Sequence, residues 1–363
     1  MVRVLQVITE LGDGGVEMML TNLYKEINKE KIQFIFCVQT DKRNKEKMIL
    51  DFGGKIIQIK PLAECGIIKY IRQIYTICIN YDIDCVHCHN LLQNIFILFA
   101  ARLAGVRKRI CHSHLTTIHR QIVNCFMPFF RMLINILATE RLACGVEAGK
   151  FLYGKKDFII INNAIDIDTF IKYENKKEIK KINEQYGDNI ILHVGRLSGQ
   201  KNHRYLIEIA KGLKNKNVKF KILCCGDGPL KKDIQNLIVR NDLENEIKLL
   251  GSISNVIPYY YASKMLILPS LYEGLPVVSI EMQAAGLHGI FSNTIDQTCD
   301  LGLGLINFLG IEKNNISEWV DNIKLLLNEN KTIEKERIHD TLNKKGYNVK
   351  NNAKYLLKLY LEE

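Results

Sequence analysis

The chain has 363 residues, long enough for two ordinary domains. Its 47% hydrophobic content supplies full-sized cores, which excludes a disordered or disulfide-dependent protein. A net charge of +11 points to anionic partners without choosing among them, and a genome biased toward Lys, Asn and Ile produces the same excess.

The opening MVRVLQVITELG reads as a strand and lacks the parts of a secretion signal. The longest apolar run, Ile95 to Ala101, is far short of a bilayer span. Eleven cysteines, odd in number and without framework spacing, indicate reduced thiols in a cytosolic protein. Short β-branched strands alternate with amphipathic helices, as in βα units that feed a parallel sheet. In the first half, strands are predicted at Arg3–Thr9, Gln33–Gln39, Lys55–Ile59, Asp84–His89, Lys108–His112, Arg141–Cys144 and Phe158–Asn162. Helices are predicted at Val16–Ile27, Ile67–Asn80 and Gln93–Ala104. The charged segment Lys172 to Asp188 reads as an exposed helix or an interdomain linker. Strands then recur at Ile190–Gly195, Lys219–Cys225, Ile247–Gly251, Met265–Pro269 and Gly289–Ser292. Their helices lie near His203–Lys214, Leu230–Asn241, Val256–Ala262 and Pro276–Ala285, and Asn348–Glu363 closes the chain as a helix. The fold class is therefore α/β, with two doubly wound domains facing across a cleft and ligands at the carboxyl ends of the strands.

Four strand-end loops carry the unusual residues. In ELGDGGVE, Gly12, Gly14 and Gly15 allow close backbone approach ahead of a helix, although Glu17 stands where a dinucleotide fingerprint needs its third glycine. In GRLSGQKN, Arg196 and Lys201 combine a planar donor fork with a point charge, a pairing suited to a diphosphate. In CCGDGPL, Gly226 and Gly228 would let a base or ribose lie against the backbone. In LPSLYEGLPVVSIEMQAAG, Glu273 and Gly274 occupy a loop, Leu275 and Pro276 lead into a helix, and Glu281 projects from it. Two carboxylates at this spacing suit ribose and sugar hydroxyls; the bland alternative is a helix-start charge and a surface glutamate.

The series GGVE, GRLSGQKN, GDGPL and EGLPVVSIE resembles retaining glycosyltransferase family 4, of GT-B fold, over most of the chain. HSH, ACGVEAGKFLYG and DLGLGL are similar to its bacterial capsule and exopolysaccharide branch. The resemblance implies an N-terminal acceptor-side domain over 1–168 with a returning helix at 348–363, and a nucleotide-sugar domain over 188–345. It implies that Arg196 and Lys201 neutralise the donor diphosphate, that Glu281 grips the ribose and that Glu273 lies near the transferred sugar. It also implies metal-independent chemistry with no cofactor, the helix start at Pro276 adding positive charge. Ala164 and His288 depart from the family's usual glycine and proline.

CVHCHN and CHSHL place imidazoles and thiols at two strand ends, but alternation along a strand lets only some converge, and the spacing matches no zinc module. The resemblance makes His114 the histidine near the reacting sugar, with His112 and His89 next in order. Arg120 to Ala138 is apolar with a narrow polar stripe and is split by Pro128; it is either a core helix or a face set on the cytoplasmic membrane surface. The expected activity is transfer of a sugar from a nucleotide diphosphate-sugar, UDP-linked by preference, to a glycan or polyprenyl-linked glycan, in the cytoplasm or peripheral on the inner membrane face. Nucleic acid is not an expected partner. A nucleotide-sugar 2-epimerase and a basic polymer-binding module are the rivals.

Overall fold

The computed structural model of the chain describes residues 1–12, 14–41, 44–115, 125–329 and 333–362. They form two compact units, residues 1–166 with 346–363 and residues 167–345.

In the first unit the described strands are β1 (Val2–Val7), β2 (Ile32–Val38), β3 (Lys55–Gln58), β4 (Cys85–Cys88), β5 (Lys108–Ser113), β6 (Glu140–Ala143) and β7 (Ile159–Ile160). They make a parallel sheet ordered β3-β2-β1-β4-β5-β6-β7. Both faces are covered, so the strands read as apolar runs such as IQFIFCV. One core holds Ile74, Ile97 and Leu152 against the sheet, and the other holds Leu20, Tyr24 and Phe34. The second core is completed from the far end of the chain. The helix Val349–Leu361 lays Ala353, Leu356 and Tyr360 into it and packs on the helix Gly15–Glu26.

The second unit repeats the scheme with β8 (Ile190–Val194), β9 (Lys221–Cys225), β10 (Ile247–Gly251), β11 (Met265–Leu268), β12 (His288–Ser292) and β13 (Ile306–Leu309). Their order is β10-β9-β8-β11-β12-β13, again parallel. The charged segment after Lys172 is no free linker. It forms the helix Lys176–Tyr186, capped by the Asn175 side chain, with Ile182 buried and Tyr173 stacked on Tyr261 at 5.5 Å. Its polar residues cover the solvent side of a helix whose apolar positions pack on the helix Ile257–Ala262.

In each sheet the strand order reverses once, between β1 and β4 and between β8 and β11. A doubly wound sheet opens its crevice at the carboxyl ends of those strands, so these two points position the candidate residues.

Leu356 is 1% exposed, and Leu356→Ala should cost about 2–5 kcal/mol through the cavity it leaves. Amide hydrogen exchange should speed up in β1 and the helix Gly15–Glu26 and stay unchanged in β8–β13. Equal acceleration in both units would contradict the placement of this helix in the first core.

Candidate functional site

In the second unit the chain leaves β8 through Gly195–Asn202 and enters the helix His203–Asn215. A Cβ on Gly195 would lie 2.7 Å from Lys201 Cε, so the lysine stem crosses bare backbone there. Its Nζ reaches Glu273, in the loop after β11, at 2.6 Å, with the two side chains only 13% and 10% exposed. Removing two charges from water costs several kcal/mol each, and such a pair persists only where other donors complete the carboxylate. Here Ser270 Oγ donates to Oε1 at 2.9 Å and Gln200 Nε2 donates to Oε2 at 3.1 Å. Gln200 also donates to Tyr272 O at 3.0 Å, and its own carbonyl accepts from Leu271 N at 2.8 Å. The loops after β8 and β11 are thus bonded together through Gln200. From β12 and beyond it, Ser292 and Thr294 hydroxyls hold the Ser270 carbonyl at 2.5 and 2.9 Å. Arg196 stands exposed on the same turn as Lys201.

The Gly226 and Gly228 backbones serve the same turn. A Cβ on Gly226 would meet Gly195 O at 2.1 Å, and one on Gly228 would meet Leu197 O at 2.4 Å. Chain packing alone therefore demands both glycines, with Leu197 N donating to Asp227 O at 3.0 Å. Gly274 differs: it is exposed, and a Cβ there would meet nothing within 4 Å. Leu275 is half-buried, and Pro276 caps the helix Val277–Ala284 with its fixed φ of −71°.

Glu281 is no surface residue. It is 9% exposed within that helix and accepts the Tyr260 hydroxyl at 2.7 Å. Burial, and then the nearby Glu281 charge, hold the Tyr260 phenol well above its usual range, so Tyr260 remains a donor.

Sequence reasoning singled out neither Gly195, Gln200, Ser270 nor Tyr260. Gln200 and Ser270 are common residue types inside quoted loops. Tyr260 meets Glu281 across 21 residues of chain, a pairing that no local pattern encodes.

In the first unit, Gly14 caps the helix Gly15–Glu26, and the space a Cβ would take on it is filled by the Glu17 carboxylate at 2.3 Å. Glu17 lies in the first turn, where an acidic group is favoured at a helix start. Asp13 lies outside the described residues.

The strand-end histidines converge more fully than alternation seemed to allow. His87 and His89 are two apart, as are His112 and His114, so each pair shares a sheet face; Cys88 and Cys111, opposite each other in register, fall on the other face. The four rings form two hydrogen-bonded pairs, His87 Nε2 to His112 Nδ1 at 3.2 Å and His89 Nδ1 to His114 Nε2 at 2.9 Å. One pair stacks on the other, with centroids 4.3 Å apart for His87 and His89 and 4.2 Å for His112 and His114. Tyr360 OH meets His87 Nδ1 at 2.7 Å, and Gln6 joins Tyr360 OH at 3.1 Å to His89 Nε2 at 3.0 Å. Burial drives all four rings toward the neutral form, with the neighbouring imidazoles adding to it for His87, His89 and His112. For His114 burial takes the pKa down to about 3, opposed by Asn163. Ring nitrogens of His87, His89 and His112 lie within 4.8 Å of one another and could hold a metal ion if their shared protons were displaced.

The apolar segment before Ala138 is described from Cys125 onward, so Arg120 and Asn124 lie outside the described residues. Pro128 sits in the first turn of Met127–Leu137, where its missing N–H is no loss. Met127, Ile134 and Leu137 are buried, while Phe126, Phe129, Met132 and Ile136 are about half exposed. Phe99 and Leu103, on the helix Asn94–Leu103 that packs beside it, are exposed as well. No described helix is long and apolar enough to cross a membrane.

The family model described as glycosyl transferases group 1 matches residues 174–346. The chain is 34% identical over 370 residues to EpsF of Bacillus subtilis (strain 168), which carries a glycosyltransferase designation; the match covers 99% of this chain and 96% of the relative. It is 29% identical over 272 residues to the Escherichia coli UDP-Gal:alpha-D-GlcNAc-diphosphoundecaprenol alpha-1,3-galactosyltransferase, covering 70% of this chain and 68% of the relative. Among solved structures, a glycosyltransferase from Rickettsia africae ESF-5 matches with a TM-score of 0.78 and 20% identity, over 99% of this chain and 97% of that one. At that identity the likeness speaks for the fold alone.

The buried imidazoles make stability depend on pH in a fixed direction. Unfolding restores each histidine to a pKa near 6.5, whereas His114 folded lies near 3. Between those values the unfolded chain binds more protons, so stability is complete above about pH 6.5 and falls as pH drops through the window. Urea unfolding followed on a first-unit probe should show a falling midpoint from pH 7 to pH 5, where histidine is the side chain that ordinarily titrates. A flat midpoint over that range would contradict neutral burial.

Proposed function

The chain belongs to the group 1 glycosyltransferases, and from that premise we propose that it moves a hexose or hexose derivative from a nucleotide diphosphate-sugar, UDP-linked, to a lipid-linked glycan in surface-polysaccharide assembly. The single observation that carries this reading is the Lys201–Glu273 pair, a buried cation and carboxylate held at 2.6 Å at the reversal point of the second sheet. A donor diphosphate offers Lys201 a second anion and adds one to the exposed Arg196 fork. Glu281, which accepts from Tyr260, is assigned to the ribose hydroxyls, and Glu273 serves the transferred sugar. Gly274 leaves open space at the sugar side, and Leu275 and Pro276 set the helix start beside it. In the first unit, Gly14 and Gly15 are assigned to the diphosphate or acceptor loop and His114 to the reacting sugar. The E. coli relative's name, with UDP-galactose as donor and a diphosphoundecaprenol acceptor, supports both the nucleotide and the lipid carrier.

Charge builds on the departing diphosphate, and Arg196, Lys201 and the helix start can stabilise it, which supports transfer without a metal ion; retention rests on the family resemblance alone. Turnover should survive EDTA; loss that a divalent ion restores would overturn this. Arg196→Ala should weaken UDP binding by about ten- to a hundredfold, the worth of a charge-assisted contact. Lys201→Ala should weaken it too, with a stability loss from the unpaired Glu273. Calorimetry showing unchanged UDP affinity in both variants would remove the diphosphate clamp.

The two carboxylates divide the work. Glu281→Ala should weaken both UDP and donor binding, because contacts to ribose act in ground and transition states alike. Glu273→Gln should lower the single-turnover rate while UDP still binds, because contacts at the reacting sugar strengthen as charge develops. Equal loss of UDP affinity in both, or full single-turnover rate in Glu273→Gln, would refute the division.

The half-exposed row Phe129, Met132 and Ile136, at helical spacing, with Arg102 exposed on the helix Asn94–Leu103 that packs beside it, fits a peripheral contact with the anionic cytoplasmic leaflet that presents the acceptor. Flotation with anionic liposomes should recover the protein at low salt and fail for Phe129→Ser with Ile136→Ser. Flotation of that variant to the same extent would refute the contact.

A further inference from the structure

His87, His89 and His112 meet on one face of the first sheet for a reason that strand geometry supplies. Side chains two apart on a strand share a face, so His87 and His89 leave the end of β4 on the same side. β4 and β5 are parallel neighbours with Cys88 opposite Cys111, and one more step along that register puts His89 opposite His112. The three imidazoles are therefore neighbours, and one ligand atom from each lies within 4.8 Å of the other two. Cys88 and Cys111 fall on the other face and take no part.

Two features set this cluster apart from rings that merely pack together. The first is spacing. His87 Nε2 and His112 Nδ1 are 3.2 Å apart. A tetrahedral ion with metal–nitrogen bonds of about 2.0–2.1 Å holds its ligand atoms about 3.3 Å apart. His89 Nδ1 also turns inward, toward His114 Nε2 at 2.9 Å. The second feature is the set of partners behind the rings. A ligating imidazole ordinarily donates its other N–H to a fixed acceptor. His87 Nδ1 has the Tyr360 hydroxyl oxygen at 2.7 Å, and His89 Nε2 has Gln6 Oε1 at 3.0 Å. With each proton on the outward nitrogen, three lone pairs face inward and no neutral imidazole has to give up its proton. His112 Nε2 has no acceptor of good geometry, so this outer support is complete for two ligands of three.

We propose that His87, His89 and His112 form a binding site for one divalent transition-metal ion of the zinc type, with a fourth coordination place on the side of the partly exposed His114. Imidazole nitrogen selects zinc and its first-row neighbours over magnesium and calcium, which take oxygen ligands. Three neutral ligands leave the ion its full charge, so the fourth place favours water or an anion. The bound ion replaces the ring-to-ring hydrogen bonds, ties β4 to β5 and releases His114 from His89. All three ligands belong to the first unit, whereas Lys201, Glu273 and Glu281 belong to the second. The site therefore stands independently of the transfer reading. It also leaves the expectation for EDTA unchanged, because the rings hydrogen-bond one another without an ion.

Cobalt(II) titrated into the chelator-treated full chain, without a polyhistidine tag, reads the site directly. One equivalent should bind with the intense visible bands of a four-coordinate ion and without a near-ultraviolet thiolate charge-transfer band. One equivalent of zinc should remove those bands, and magnesium should not. His89→Gln and His112→Gln should each abolish them. Gln6→Met takes the acceptor away from His89 and should weaken zinc binding about ten- to a hundredfold. Cys65→Ser with Cys125→Ser removes the two thiols that are not buried and should change nothing. No binding, the weak bands of a six-coordinate ion, a thiolate band, or bands that persist in a folded His112→Gln each overturn the site. If the histidine variants fail to fold, the parent spectrum decides alone, because every one of these outcomes but the last is read from it.

Discussion

A lysine and a glutamate held almost out of water organise the second unit. Their pairing at 2.6 Å repays desolvation only because Ser270 and Gln200 complete the carboxylate, and those partners in turn fix two loops. Everything around the pair is arranged to let it form. Gly195 clears the lysine stem, and Gly226 and Gly228 let the β9 loop close on the β8 loop. Ser292 and Thr294 pin the carbonyl of Ser270. The result is a cation and an anion side by side, with Arg196 exposed on the same turn as the lysine, at the strand reversal of the second sheet.

The first unit solves a different problem with neutral groups. Four imidazoles cannot be buried as cations at that spacing, so they stay neutral and use each other's nitrogens. The C-terminal helix enters this arrangement directly, since Tyr360 is both a core residue and a hydrogen-bond partner of Gln6 and His87. Chain closure and the histidine cluster are therefore linked in this unit: a side chain 354 residues away from Gln6 hydrogen-bonds its amide. The second unit thus buries a charged pair, and the first buries neutral donors and acceptors.

The sequence by itself determined the parallel α/β class, because strands buried on both faces need continuous apolar runs and their crossovers need amphipathic helices. It also marked the loops, since Gly, Pro, Arg and Glu at strand ends have few reasons to be there other than turns and ligands. Glu273 stood out on that ground; the histidines stood out only as two strand-end groups, of which some were expected to converge. Tertiary structure alone decided what those residues touch. The Tyr260–Glu281 bond, the Gln200 bridge and the Gln6–Tyr360 contact join positions 21, 73 and 354 residues apart, and no local periodicity encodes such partners. It also decided that Glu281 is buried, that Pro128 begins a helix, and that Lys176–Tyr186 packs as part of the second unit. In each case the local pattern permits two states, and the energy that chooses between them comes from neighbours brought in by the rest of the chain.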